Sequence, residues 1–358
     1  MKLHVHLVTW NGAKYIPYLF ESLRRQTFRD WELFVLDNAS SDGTVEKIKL
    51  ETRNSKLETG DSLVFVTLIE SRSNTGFAGG HNLLFQETRN KKQETNEYIL
   101  LLNQDMYLYK TCFERLVEFM DKYAEVGSAT PLLLKWEFGK IVTGFDASFT
   151  DVIDSLGLRV DRNRRVREMF SGYRVDDLLK CLKGNLGEIF GVSGALPIYR
   201  RKALEDAAFS DGTIFDESYH AYKEDVDLAF RLQSAGWKSR AALSAIALHD
   251  RSAAGPEDPT DQSAAKNKKQ QSKWVRYHSY KNHLMTLYKN EYWQNVLLDF
   301  PWIFWYEWKK FVWFFLFDRK VLGGLKEIWK MRGAVRNKKQ ETRNKRKVRW
   351  REMRKWWK

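Results

Sequence analysis

Tyr98-Ile99-Leu100-Leu101-Leu102-Asn103-Gln104-Asp105 runs five apolar positions straight into three polar ones. A short segment that is apolar at every position suits a strand covered on both faces, as in a parallel sheet between helices. The polar residues then stand beyond the carboxyl end of that strand, where open α/β sheets bind ligands. Neighbouring segments agree. Leu3, Val5 and Leu7 alternate with His4, His6 and Val8, a strand pattern that stops at Thr9-Trp10-Asn11-Gly12. Ile16, Leu19, Phe20 and Leu23 share one helix face. Residues 32–36 read as a second strand ending at Asp37, and Ser41 or Asp42 caps a helix through Val45 and Ile48. Residues 63–69 read as a third strand, and Phe113, Leu116, Val117 and Met120 keep helical spacing. The alternation predicts a Rossmann-like α/β fold: a mostly parallel sheet with helices on both faces.

Further along, residues 151–173 are more polar and strand-like in patches, which predicts a hairpin excursion. Residues 224–235 form a helix closed by Gly236 in the C′ position. Residues 251–272 are poor in apolar side chains and rich in Pro, Asp, Lys and Gln, the composition of a linker. The expected division is an α/β domain over 1–254, a linker or loop over 255–273, a helical aromatic-rich appendage over 274–330 and a basic tail over 331–358. One polar word recurs: ETRNSKLET from Glu51, ETRNKKQET from Glu87, RNKKQETRNK from Arg336, and NKKQ at Asn267. Its irregular spacing excludes a solenoid, and its composition predicts exposed loops without chemistry.

The formal net charge of the 358 residues is +14. Residues 331–358 hold thirteen Lys/Arg against two acidic residues, a net of +11, and the rest is nearly neutral at +3. A basic segment attracts polyanions, either nucleic acid or an anionic membrane surface. Trp302, Trp305, Tyr306, Trp308, Phe311, Trp313, Phe314 and Phe315 crowd around Lys309 and Lys310 behind Pro301, which suits a first helical position. Aromatic residues flanked by lysine are typical of a membrane interface. No apolar run approaches the ~20 residues that span a bilayer, and the N-terminus does not read as a signal peptide. The expected place is the cytoplasm, peripheral on the inner face of the cell membrane. Single-stranded nucleic acid also suits basic and aromatic residues, but no recognisable binding module accompanies them. Cys112 and Cys181 have no metal-like spacing and read as reduced, structural thiols.

The ends of the strands carry the chemistry. Thr9 and Asn11 follow the first, Asp37 the second, the glycine-rich run from Asn74 to Asn82 the third, and Asn103-Gln104-Asp105 the fourth. Asp37 can accept from a base N–H or a ribose hydroxyl, or serve as a turn or helix cap. Asp105 supplies a hard oxygen of the kind that binds Mg²⁺ or Mn²⁺, which in turn bridges phosphates. Glu224-Asp225-Val226-Asp227 opens a helix, where the dipole stabilises carboxylates and where one of them can act as a general base. Asp225 and Asp227 point to different helix faces, so one of the two reaches a substrate. His249 can ligate a metal.

Taken in order, VTWNG (8–12), LDNASSDGT (36–44), NTGFAGGHN (74–82), LLLNQDM (100–106), GVSGALPIYRRKALE (191–205) and FDESYHAYKEDVDLAFRLQSAGW (215–237) with His249 resemble family 2 glycosyltransferases of the GT-A fold. The rhamnosyltransferase-like branch is the nearest in pattern, and the resemblance runs from Met1 to about Ala254. It implies an inverting transfer of a sugar, rhamnose in that branch, from a nucleoside-diphosphate donor. The acceptor would be a saccharide or a polyprenyl-linked sugar in cell-surface polysaccharide synthesis. It further implies that Thr9, Asn11, Asp37, Asn74, Asn82, Asn103 and Asp105 bind the donor. Asp105 and His249 would hold the metal, and Asp225 would be the base, with Glu224 beside it. Ser193, Gly194 and Ala195 would line the acceptor side. Asn103 stands where the family motif begins with Asp. Two other readings are a nucleotide-sugar-binding protein without catalysis and a nucleic-acid-associated protein acting through its tail. The presence of Asp105, Asp225 and His249 speaks against the first of these.

Overall fold

The computed structural model describes residues 2–58, 66–90, 97–182, 187–251, 269 and 271–357. Strand and helix alternate as the apolar pattern requires: β1 (Leu3–Thr9), α1 (Ile16–Arg24), β2 (Trp31–Asp37), α2 (Thr44–Glu58), β3 (Val66–Glu70), α3 (Gly76–Asn90) and β4 (Tyr98–Asn103). β1 pairs in parallel with both β2 and β4, and β2 with β3. Residues 63–65, expected in the third strand, lie outside the described residues. The apolar run 98–102 is buried on both sides. Leu100 and Leu102 join the core with Leu3, Val5 and Leu7, while Ile99 and Leu101 join a second core with Tyr199 and Leu228.

Beyond β4 the sheet becomes mixed. β5 (Met106–Leu108) leads to α4 (Cys112–Lys122), β6 (Val126–Trp136) and β7 (Phe149–Ser155). A separate antiparallel hairpin, β8 (Leu158–Val160) and β9 (Val166–Glu168), is the expected excursion. Then come α5 (Val175–Leu182), β10 (Glu188–Ile189), β11 (Ile198–Arg200), α6 (Arg201–Ala207), α7 (Glu224–Ser234) and β12 (Lys238–His249). The main order is β10-β12-β6-β11-β4-β1-β2-β3, with β5 on β12 and β7 on β6. Six of those eight strands run in one direction, and β10 and β11 oppose them. Thr9, Asp37, Asn103 and His249 therefore end their strands on a common edge. Gly236 closes α7 at φ +89°, as its position after the helix requires.

Three expectations need correction. The recurring polar word is helical in nearly all of its described residues: it ends α2, ends α3, and from Arg336 ends the helix Arg332–Asn344, whose C-cap is Lys345. Glu, Arg, Lys and Gln are good helix formers, so polarity there signals exposure and not loop structure. Thr59, residues 91–95 and most of the copy at Asn267 lie outside the described residues, as does most of the expected linker. Pro301 does not open a helix. The aromatic helix runs Trp293–Phe317 with the proline inside it.

The basic segment is not a loose tail either. The helix Lys273–Asn290 is capped by Ser272, whose hydroxyl accepts from the Val275 N–H at 3.2 Å. The Arg332–Asn344 helix lies against it, burying Val335 beside Met285 and Tyr219. Trp357 ends the chain's described part within a cluster of Phe190, Phe230 and Met353. Lys338 pairs with Asp216 at 2.9 Å, and Arg354 with the buried Asp299 at 3.0 Å. Much of the positive charge thus answers carboxylates and carbonyls elsewhere in the fold. No helix among the described residues is long and apolar enough to cross a membrane.

Candidate active site

Parallel register sets Thr9 opposite Asp37. The Asp37 carboxylate accepts from the Thr9 hydroxyl (3.1 Å), the Ser40 N–H (2.9 Å) and the Ser40 hydroxyl (2.6 Å), which keeps a buried anion satisfied. Asn11, in the left-handed region at φ 50°, donates its N–H to Ser40 Oγ and accepts from the Ser41 N–H, both at 2.9 Å. The Gln104 amide grips the Trp10 backbone in both directions, at 2.9 and 3.0 Å. A Cβ on Gly12 would lie 2.2 Å from Gln104 Oε1, so any larger residue there would push the Gln104 amide from its place on Trp10. Asn74 caps the start of α3 by accepting from the Gly76 N–H at 2.8 Å. Asn82 is different. Its Oδ1 accepts from the Ile214 and Phe215 N–H groups, and its Nδ2 donates to the Phe215 carbonyl and Glu217. Its amide is spent within the fold, fastening residues 214–217 to α3, with nothing left for a donor.

Asp105 lies in the turn between β4 and β5. Because β5 pairs with β12 so that Met106 faces His249, the carboxylate and imidazole are neighbours. His249 Nε2 stands 3.5 Å from Asp105 Oδ1, while Nδ1 is 2.9 Å from the buried Asp154. Arg251 donates to Asp154 at 3.1 Å and to Glu168 at 2.9 Å, and approaches Ser193 Oγ at 3.4 Å. Burial opposes a charge on His249, but the Asp105 carboxylate and then the Asp154 hydrogen bond prevail and raise its pKa to about 9. A ring held from behind by a carboxylate, with its other nitrogen beside a second carboxylate, is how metal-ligating histidines are oriented. No group of three ligating side chains occurs among the described residues. The pair fits a divalent ion that keeps water and phosphate oxygens in the rest of its shell. Asn103 donates its backbone N–H to the Ala195 carbonyl at 3.0 Å, joining this edge to the segment Ser193–Gly194–Ala195.

Opposite lies the start of α7. His220, Tyr222 and Lys223 precede it at φ of 60°, 69° and 72°, three left-handed side-chain-bearing residues within four positions. Such conformations persist only where surrounding contacts impose them. Here Asn282 does so, with its Nδ2 within 2.7–2.9 Å of the Tyr219, Ala221 and Tyr222 carbonyls, and Lys281 donates to Ser218 O at 2.9 Å. The loop presents Asp225, whose Oδ2 accepts from the Gly194 N–H at 3.2 Å and whose Oδ1 accepts from the Val226 N–H at 2.7 Å. Asp227 turns inward to Arg231 (3.0 Å), Lys289 (3.0 Å) and Asn290 (2.8 Å). Burial raises the Asp225 pKa above the usual aspartate range, against the pull of Lys223. Burial and then the Asp225 charge push Glu224 to about 8, and its buried Oε2 has no hydrogen-bond partner.

Sequence reading left out Ser40, Asp154, Glu168, Arg251 and Lys223. An acidic residue inside the strand-like stretch 151–173, and an arginine two positions after His249, were the available signals for Asp154 and Arg251.

The chain matches glycosyl transferase family 2 over residues 4–133 and glycosyl transferase family group 2 over residues 98–319. It is 23% identical over 271 residues to an N-acetylglucosaminyl-diphospho-decaprenol L-rhamnosyltransferase of Mycobacterium tuberculosis, covering 74% of this chain and 81% of the relative. It is 30% identical over 132 residues to the poly(ribitol-phosphate) beta-N-acetylglucosaminyltransferase TarS of Staphylococcus aureus, covering 34% of this chain and 19% of TarS. The structure of GalNAc-T7 with UDP, GalNAc and Mn²⁺ superposes with a TM-score of 0.54 at 12% identity, a likeness of fold. That match covers 81% of this chain, which spans about half (48%) of the GalNAc-T7 chain.

Proposed function

The chain belongs to glycosyl transferase family group 2 and has the GT-A architecture, and from that premise we propose that it is an inverting glycosyltransferase using a nucleoside-diphosphate sugar. Thr9, Asn11 and Asp37 hold the nucleoside, and Asn103 and Asp105 face the diphosphate. The acceptor enters beside Ser193–Gly194–Ala195. Its hydroxyl attacks the anomeric carbon from the side opposite the leaving diphosphate, and Asp225 takes the proton. Asp105 and His249 would hold Mg²⁺ or Mn²⁺, which supplies positive charge for the departing nucleoside diphosphate. Asp154 and Arg251 keep the His249 ring in place.

The observation that carries this reading is the division of labour on α7. Asp225 meets the acceptor-side backbone with its pKa raised, whereas Asp227 is consumed by buried cations. A base with an elevated pKa can accept a proton and still be ionised near neutral pH. The rhamnosyltransferase of M. tuberculosis supports a rhamnose donor and a polyprenyl diphosphate-linked acceptor, and the family resemblance adds a role in surface polysaccharide synthesis. A lipid-borne acceptor favours a site of action at a membrane surface, on the cytoplasmic side expected from the sequence. Calorimetric titration of dTDP, UDP and GDP, with and without Mn²⁺, tests the donor site. One nucleotide should bind in a metal-dependent way and lose affinity in Asp105→Ala. A folded protein that binds none of the three would overturn the reading.

A further inference from the structure

The helix Trp293–Phe317 is amphipathic in the reverse sense. Asn295 and Asp299 are buried, and Glu307 pairs with both Lys310 and His283 on the side facing the fold. The apolar side faces out. Trp293 is 68% exposed and Leu297 63%, and Phe300, Phe304, Trp308, Phe311 and Phe315 continue the row, their ring centroids 5.6–6.3 Å apart. Water is a poor neighbour for that ridge, and a patch of this extent marks an interaction surface.

The ridge begins in a cleft of about 970 Å³ between this helix, the Lys273–Asn290 helix and the Arg332–Asn344 helix. Trp293 and Leu297 line it together with Lys339, Arg343, Arg346 and Arg349. Its one lining carboxylate, Glu291, is bound to Arg164 at 2.6 Å. Among the described residues neither Lys339 nor Arg343 meets a carboxylate. Lys339 rests over the Tyr288 ring at 4.0 Å, and burial, followed by the Arg346 and Arg343 charges, lowers its pKa. Like charges are thus gathered in a concavity whose one lining carboxylate among the described residues, Glu291, is already bound to Arg164.

We propose that this cleft binds the phosphate headgroup of an anionic lipid, while the aromatic ridge that leaves it lies in the acyl boundary of the same bilayer. A single occupant explains both features, because an amphiphile brings a phosphate and a hydrocarbon chain in the same order as the cleft and the ridge. Membrane contact then runs through the cleft and the ridge, and the cations already paired within the fold take no part.

Co-sedimentation of the full chain with vesicles of phosphatidylcholine, with and without phosphatidylglycerol, tests this without donor or acceptor, so its failure leaves the glycosyltransferase reading standing. The wild-type chain should bind the anionic vesicles and release them as salt is raised. Lys339→Gln with Arg343→Gln should weaken that binding about tenfold or more at low salt. Neither side chain has a carboxylate partner among the described residues, so the melting temperature should hold. Phe304→Ser with Trp308→Ser should abolish retention on either vesicle. Unchanged affinity in the double Gln variant overturns the proposal. So does tight binding of inorganic phosphate or single-stranded RNA at the cleft with no retention on anionic vesicles.

Discussion

Asp225 and Asp227 are two positions apart on one helix, and their surroundings give them opposite work. Removing the Asp225 carboxylate should cost turnover and spare the donor. In Asp225→Asn we expect transfer to fall by about 10²–10⁴-fold, the usual worth of a general base, with calorimetric affinity for the nucleotide unchanged. A variant that still turns over normally would remove Asp225 from the chemistry. The sign of the pH effect follows from the same group. A base acts when deprotonated, and burial raises the pKa of this one. Activity should therefore decline on the acid side through a midpoint above the ~3.9 of an ordinary aspartate. A kcat/KM profile flat down to pH 4 would contradict this. Asp227→Ala should act on folding. It leaves Lys289 and Arg231 buried without their shared anion, at a cost of about 3–5 kcal/mol, measurable by urea denaturation. Asp154→Asn should loosen the His249 ring and weaken Mn²⁺ binding by about 10–100-fold, the usual effect of removing such a support.

At the scale of elements, the start of α7 depends on a helix about sixty residues later in the chain. Asn282 holds three carbonyls of the left-handed loop that delivers Lys223, Glu224 and Asp225. In Asn282→Ala those buried acceptors lose their donor, at about 1–3 kcal/mol. The loop should relax, lowering kcat while leaving nucleotide affinity at the far edge intact. Equal losses in both would mean that Asn282 supports the whole fold instead of the loop. The recurring polar word belongs to this scale too. Its polarity indicated exposure, which Thr88 and Thr342 escape by burial, and helix or loop was decided by propensity and by what lay on the opposite face. In the Arg332–Asn344 helix, Val335 and Thr342 are buried and Lys338 reaches Asp216.

For the whole molecule, the C-terminal helices are part of the catalytic body. Asp216 takes both Lys289 and Lys338, and Asp299 takes Arg162, Arg164 and Arg354. Deleting residues 331–358 removes Lys338 and Arg354 and uncovers Phe190 and Phe230. We expect a lower melting temperature or aggregation, where a free tail could be removed without effect. A truncated chain that melts like the full one would show those contacts to be idle.

The first four strands in order, the common edge of Thr9, Asp37 and Asn103, and the acidic opening of α7 were legible in the sequence. Each follows from short-range pattern: a period of two or 3.6, a glycine or aspartate where a strand stops, a carboxylate where a helix starts. What the sequence could not determine was which charges would meet. Asp154 behind His249, Asp227 turned to Lys289, Asn82 spent on Phe215 and a basic tail folded onto Asp216 and Asp299 all join residues 55 to 133 positions apart. Hydrophobic pattern records only that a face is covered. Which polar groups share that cover, and so must pair, is decided when the layers pack.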